Sequence, residues 1–131
     1  MKKYLLLILA LALLLTACGG GDVSETGRRI GTCELFGKGE IADAMDVVEA
    51  HFKKNFDGCK LIGLEYDEEK TGDKAARETE RYGQETIILL SSFRVEDAGD
   101  GSLNPGQTYT GYEWTLVKTF FGWELKDSGY A

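Results

Sequence analysis

The chain has 131 residues, with 15 Lys and Arg against 22 Asp and Glu, for a net charge of −7. That acidity excludes a surface built for nucleic acid or for anionic lipid, both of which select Lys/Arg patches. Length and an apolar content of 43% suit one domain with one core, and nothing after the first 17 residues is apolar enough to span a membrane.

Met1-Lys2-Lys3-Tyr4 is a positive start, Leu5 to Leu15 an apolar run, and Thr16-Ala17 a small-residue cleavage site. That order is a secretory signal. The apolar stretch Tyr4–Ala17 is 14 residues, short of the about 20 that a spanning helix needs. Leu15-Thr16-Ala17-Cys18 resembles the lipobox of bacterial lipoproteins. The resemblance implies that residues 1–17 are removed and that Cys18 becomes the first residue, carrying a thioether-linked diacylglycerol. It also implies a place on the extracytoplasmic face of the cell membrane. A secretory signal with a chance cysteine is the alternative. Two or more acyl chains, at about 0.8 kcal/mol per buried methylene, hold a protein stably on a bilayer where one does not. Cleavage removes Lys2 and Lys3 and no acid, which takes the net charge from −7 to −9. Gly19 is not the Asp that marks inner-membrane retention in double-membraned bacteria, so an outer-membrane site stays open.

Residues 18–29 are expected to be the lipidated Cys and a flexible tether, because Gly19-Gly20-Gly21 and the polar residues after them hold one isolated Val. Residues 30–131 are expected to form a single domain. From Glu40 to Phe56 the apolar positions Ile41, Ala44, Met45, Val48, Phe52 and Phe56 make one helical stripe. Glu40 and Asp43 in the first turn and Lys53 and Lys54 in the last suit the helix dipole, and Gly58 suits its exit. Cys59 to Tyr66 reads as a strand with Ile62, Leu64 and Tyr66 on one face. Asp67 to Gly83 reads as a long exposed connection with room for a short helix at 73–81. Glu85 to Val95 is a strong apolar strand, and Glu96 to Gly106 a wide turn. Gln107 to Thr119 is a long strand with Tyr112, Trp114 and Leu116 on one face. A tight turn near Phe120–Gly122 leads to a last strand, Trp123 to Lys126.

One helix followed by four hairpin-linked strands predicts an α+β domain, with a long N-terminal helix packed on a curved four-stranded antiparallel meander. Glu40-Ile41-Ala42-Asp43-Ala44, the Val48/Phe52/Phe56 spacing, Cys59 leading to Tyr66-Asp67, Tyr112-Glu113-Trp114 and Gly122-Trp123-Glu124-Leu125-Lys126-Asp127-Ser128-Gly129 resemble small bacterial lipoproteins of uncharacterised function. That group resembles the nuclear-transport-factor-like, cystatin-like superfamily. The resemblance covers roughly residues 36–130 and implies a helix on a curved sheet, with one long helix where full nuclear-transport-factor-like domains usually have three.

Cys33 and Cys59 are candidates for a disulfide, as two cysteines in an exported chain suggest. A helix filling 41–57 would set its ends about 25 Å apart at 1.5 Å per residue. Residues 33–40 would then have to run back along it almost fully extended, and the alternative is two small buried apolar residues.

His51 is the only histidine and falls at the flank of the helical stripe. In enzymes of the cone-shaped superfamily a pocket His or Asp serves as general base, so an isomerase or lyase acting through His51 or a pocket carboxylate is the alternative to a binding protein. A surface or half-buried helix position is the commoner use. No catalytic residue is assigned, and no cofactor or metal: a lone His makes no cluster, and Glu96–Ser102 lacks the alternating order of a calcium loop. Gln107-Thr108-Tyr109-Thr110-Gly111 is similar to the first inhibitory hairpin of cystatins except for Tyr at the Val position, which makes protease inhibition a remote alternative. Asp67-Glu68-Glu69 reads as a solvated loop or a recognition loop for a basic partner. Tyr66, Tyr109, Tyr112, Trp114 and Trp123 line a ligand cleft between helix and sheet, or are plain core. The leading expectation is a non-enzymatic, lipid-anchored extracytoplasmic module that binds a small apolar ligand or another envelope protein, and no nucleic acid.

Overall fold

The computed structural model describes residues 20–96 and 104–130. Their order is β1 (Gly27–Ile30), α1 (Lys38–Asn55), β2 (Cys59–Tyr66), α2 (Glu68–Tyr82), β3 (Thr86–Val95), β4 (Thr108–Thr119) and β5 (Gly122–Gly129). The five strands lie in sequence order in one sheet. β1 runs parallel to β2, and every later pairing is antiparallel.

This corrects the expected single helix on a four-stranded antiparallel meander. Among the described residues there are two helices, and the sheet is five-stranded and mixed. The extra strand comes from the expected tether: Gly27, Arg28 and Arg29 pair with Gly63, Leu64 and Glu65. A parallel pair needs a crossover connection, and α1, between β1 and β2, supplies it. The second helix comes from the charged connection. Asp67 caps it by accepting from the Glu69 amide at 3.1 Å, Glu68 and Glu69 fill its first turn, and Gly83 ends it with a left-handed backbone.

α1 buries Ile41, Ala44, Met45, Val48 and Phe52 of the expected stripe, and Phe56, its sixth member, is half-buried just past the helix end. They meet Leu61, Leu64, Ile87, Leu89, Phe93, Trp114 and Leu116 from the sheet. On β2 the stripe differs from the expected one. Ile62 is the extra residue of a bulge, because Leu61 faces Phe93 while Gly63 faces the next residue, Ser92. Side chains alternate along a strand, and one inserted residue resets the alternation. Leu61 therefore enters the core and Ile62 is exposed.

α2 covers part of the opposite face through small side chains. Thr71 and Ala75 are buried against the face that carries Ile88, Thr115 and Val117, and Thr71 Oγ1 donates to the Ile88 carbonyl at 3.4 Å. Lys74 pairs with Glu113 at 2.5 Å across the same layer.

Cys33 and Cys59 are not joined to one another, which corrects the candidate disulfide. Residues 31 and 32 bond near Tyr66 and Glu68, at one end of β2, while Cys59 begins the other end. Eight strand residues at about 3.3 Å each hold the two cysteines far beyond bonding distance.

Candidate functional site

The sheet face that α2 leaves open carries a trench. Gly27 faces Gly63, Gly63 faces Ser92, and Ser92 faces Thr110, with Gly111 beside it. A row of residues with no side chain or a short one therefore crosses four strands. Bulges fall on both sides of that row, between Leu61 and Gly63 and between Ser91 and Ser92, where the strands bend. The resulting groove has a volume of about 420 Å³, and Leu90 lines it together with Arg29, Glu65 and Lys70.

The charges gather on one side. Glu65 lies 2.8 Å from Lys70 Nζ and 3.6 Å from Arg29 Nε. Two cations share one carboxylate, so the groove has one positive charge in excess beside an apolar wall and the hydroxyls of Ser92 and Thr110. Arg29 and Lys70 are exposed and can turn toward a ligand at little cost, as long cationic side chains do. Such a groove suits a small molecule with an apolar body and one anionic group.

The expected aromatic cleft is packed. Trp114 is fully buried; its indole N–H donates to Ser91 Oγ at 2.7 Å, and Ser91 donates to the Tyr112 carbonyl at 3.0 Å. Tyr109 stacks on Phe93, and Tyr112 meets Phe56, Phe93 and Trp114 edge-on. The Trp123 indole donates to the Glu40 carbonyl at 3.0 Å, which ties β5 to the start of α1. The Tyr66 hydroxyl donates to Glu68 at 2.9 Å. Burial and the neighbouring Glu68 carboxylate both push the Tyr66 phenol well above its ordinary value. Tyr66 and Trp114 are helix-face core, and Tyr109, Tyr112 and Trp123 are half-buried and pack against that core.

His51 is half-buried, 5.8 Å from the Trp114 ring and 6.4 Å from the Phe56 ring. Its Nδ1 lies 3.3 Å from the Asn55 side-chain amide, and it does not line the trench. The acidic run is the first turn of α2 rather than a recognition loop. There Glu68 Oε1 accepts from the Glu34 and Leu35 amides at 2.8 and 2.7 Å. Burial opposes the Glu68 charge, but those amides and the Tyr66 hydroxyl outweigh it and hold its carboxyl below the ordinary range. Thr108–Gly111 lie inside β4, not at a hairpin tip as the inhibitor resemblance requires. The acidic turn at Glu96–Ser102 falls outside the described residues except for Glu96, which binds Arg94 at 2.7 Å.

No trench residue except Tyr109's neighbours Thr110 and Gly111 belonged to a motif singled out in the sequence. Arg29 sat in the expected tether, and Gly63 and Ser92 gain meaning only from the strand register. The three-residue step from Leu61 to Leu64, odd where a regular strand keeps one face by even steps, was the available signal for a bulge. Comparison with family models, with curated protein sequences and with solved structures finds no match.

Proposed function

We propose that the chain is a lipid-anchored extracytoplasmic binding module whose ligand lies in the trench across the sheet. The observation that carries this reading is the groove itself: bare backbone at Gly27, Gly63 and Gly111, with Arg29 and Lys70 beside it. The lipobox at Cys18 supports the address, and the packed aromatic core supports a rigid platform. The ligand class is a small amphiphile with a carboxylate or phosphate, held by the Arg29 and Lys70 cations and the hydroxyls of Ser92 and Thr110.

Gly63→Leu tests it. A Cβ at Gly63 meets its nearest atoms at 3.5 and 3.6 Å, ordinary contact, so the larger side chain fills the trench without backbone strain. Native mass spectrometry of wild-type protein released from its own membranes should show a bound anion, and the variant, with an unchanged thermal midpoint, should have lost it. A wild-type spectrum with no adduct, or an adduct equally retained by the variant, sinks the reading.

A further inference from the structure

Phe120 and Phe121 form the two-residue turn between β4 and β5, and their side chains are 97% and 95% exposed. Turns of this kind select Gly, Asn, Asp or Ser, and neither ring adds to the core. The turn itself is held: Thr119 Oγ1 donates to the Gly122 carbonyl at 2.8 Å and accepts from the Phe121 amide at 3.2 Å. Gly122, at φ 112°, supplies the backbone twist that a side-chain-bearing residue resists. The two rings meet edge-on with centroids 5.4 Å apart. A rigid turn thus presents two aromatic rings to solvent, against the local rule for turns and with no gain in stability.

Where the chain leaves the described residues indicates what covers them. The Gly21 amide bonds to the Lys53 carbonyl, at the end of α1. The foot of the hairpin bonds to Glu40, at the start of α1, through Lys118 and Trp123. Those two points are about 20 Å apart along the helix axis at 1.5 Å per residue. Cys18 is two residues before Gly20 and so within about 7 Å of it. The lipid would enter at one end of the domain and the rings would stand at the other. A domain of net charge −9 is repelled from an anionic headgroup surface, which opposes lying flat on it. Lys118 is shared by Glu40 at 2.7 Å and Glu85 at 3.6 Å, so the collar below the rings has one negative charge in excess. Two rings bury roughly 300–500 Å², below the about 800 Å² per partner of a stable interface, so they are the anchor of a larger contact.

We infer that Phe120 and Phe121 are a docking anchor for a second envelope protein, which receives them in an apolar pocket with a neutral or basic rim. This inference rests on the lipid-anchored reading for the direction in which the rings point. A photoreactive phenylalanine analogue at position 120 or 121 of the full chain, irradiated in intact cells, should give one discrete adduct with a protein of different mass. A control analogue at the exposed Gln84 should not give it, and adding Phe121→Ser should abolish the adduct at 120. The purified adduct partner should then bind the wild-type chain at least about tenfold more tightly than the Phe120→Ser/Phe121→Ser variant, whose thermal midpoint should be unchanged. A phospholipid adduct, an adduct of two copies of this chain, equal adducts at Gln84, or none would overturn the inference. The Cys18 peptide from the same cells is weighed separately. An unacylated Cys18 beside a specific adduct removes the anchor and leaves the docking.

Discussion

Glu68 does three jobs with one carboxylate. It accepts from the Glu34 and Leu35 amides and from the Tyr66 hydroxyl, and so fastens the approach to α1 against the start of α2. Glu68→Gln keeps the shape and loses the charge, and should cost about 1 kcal/mol at neutral pH, since the bonds are charge-assisted but partly exposed. A carboxyl held below its ordinary value of 4.5 stabilises the fold above that pH, and the contribution is lost as pH falls through the lowered folded value. The gap between wild type and variant in urea unfolding should therefore be full at pH 7 and shrink as pH falls below about 4.5; a gap unchanged between pH 7 and pH 3 contradicts this role. None of this was legible at Asp67-Glu68-Glu69, because a carboxylate bound to distant amides looks the same in sequence as a solvated one. Trp114 shows the opposite case. Its place on the inward face of β4 was readable from alternation with Glu113 and Thr115, but whether that face was open or filled depended on Phe56 and Ser91.

α1 was legible from its apolar stripe, and its stripe is what it buries. α2 was legible only as room for a short helix at 73–81, inside the observed Glu68–Tyr82, because it buries a threonine and an alanine, which carry no hydrophobic period. Its signals were at its ends, in Asp67 and Gly83, where a cap and a stop frame a run of good helix formers. Asp67→Ala removes the bond to the Glu69 amide and should cost about 1 kcal/mol. Hydrogen exchange at the amides of the first α2 turn should accelerate while α1 stays protected; equal acceleration in both helices would mean that the cap acts on the whole fold. The trench was hidden for a related reason. Glycines at 27, 63 and 111 are ordinary punctuation when read singly, and only the pairing of strands far apart in sequence brings them into one row.

The expected tether is largely part of the domain. The Asp22 amide bonds to the Cys59 carbonyl, the Leu61 amide bonds to the Asp22 carbonyl, and Gly21 lies so close to α1 that a Cβ there would stand 2.6 Å from the Phe52 carbonyl. A glycine needed for close approach and a glycine needed for flexibility are the same letter, which is why the sequence suggested slack. Gly21→Val should lift this arm away, and trypsin should then cut at Arg28 and Arg29 several-fold faster than in wild type on a gel time course. An unchanged rate would mean that β1 holds without the arm. A module lipidated at Cys18 would thus be set down directly on its membrane, with little play between lipid and fold.

β1 has one more consequence. It closes the side of the sheet at β2 with only four residues, two of them arginines, and Arg28 is already engaged by Asp46 and Glu49 of α1. A strand so short and so charged offers little template for another chain to extend. Were the chain anchored at Cys18, its copies would share a plane and meet often, and each meeting would be a chance for sheets to zip together into aggregates. The same few residues that complete the fold would make such encounters unproductive along the β1 edge, with β5 as the other edge of the sheet.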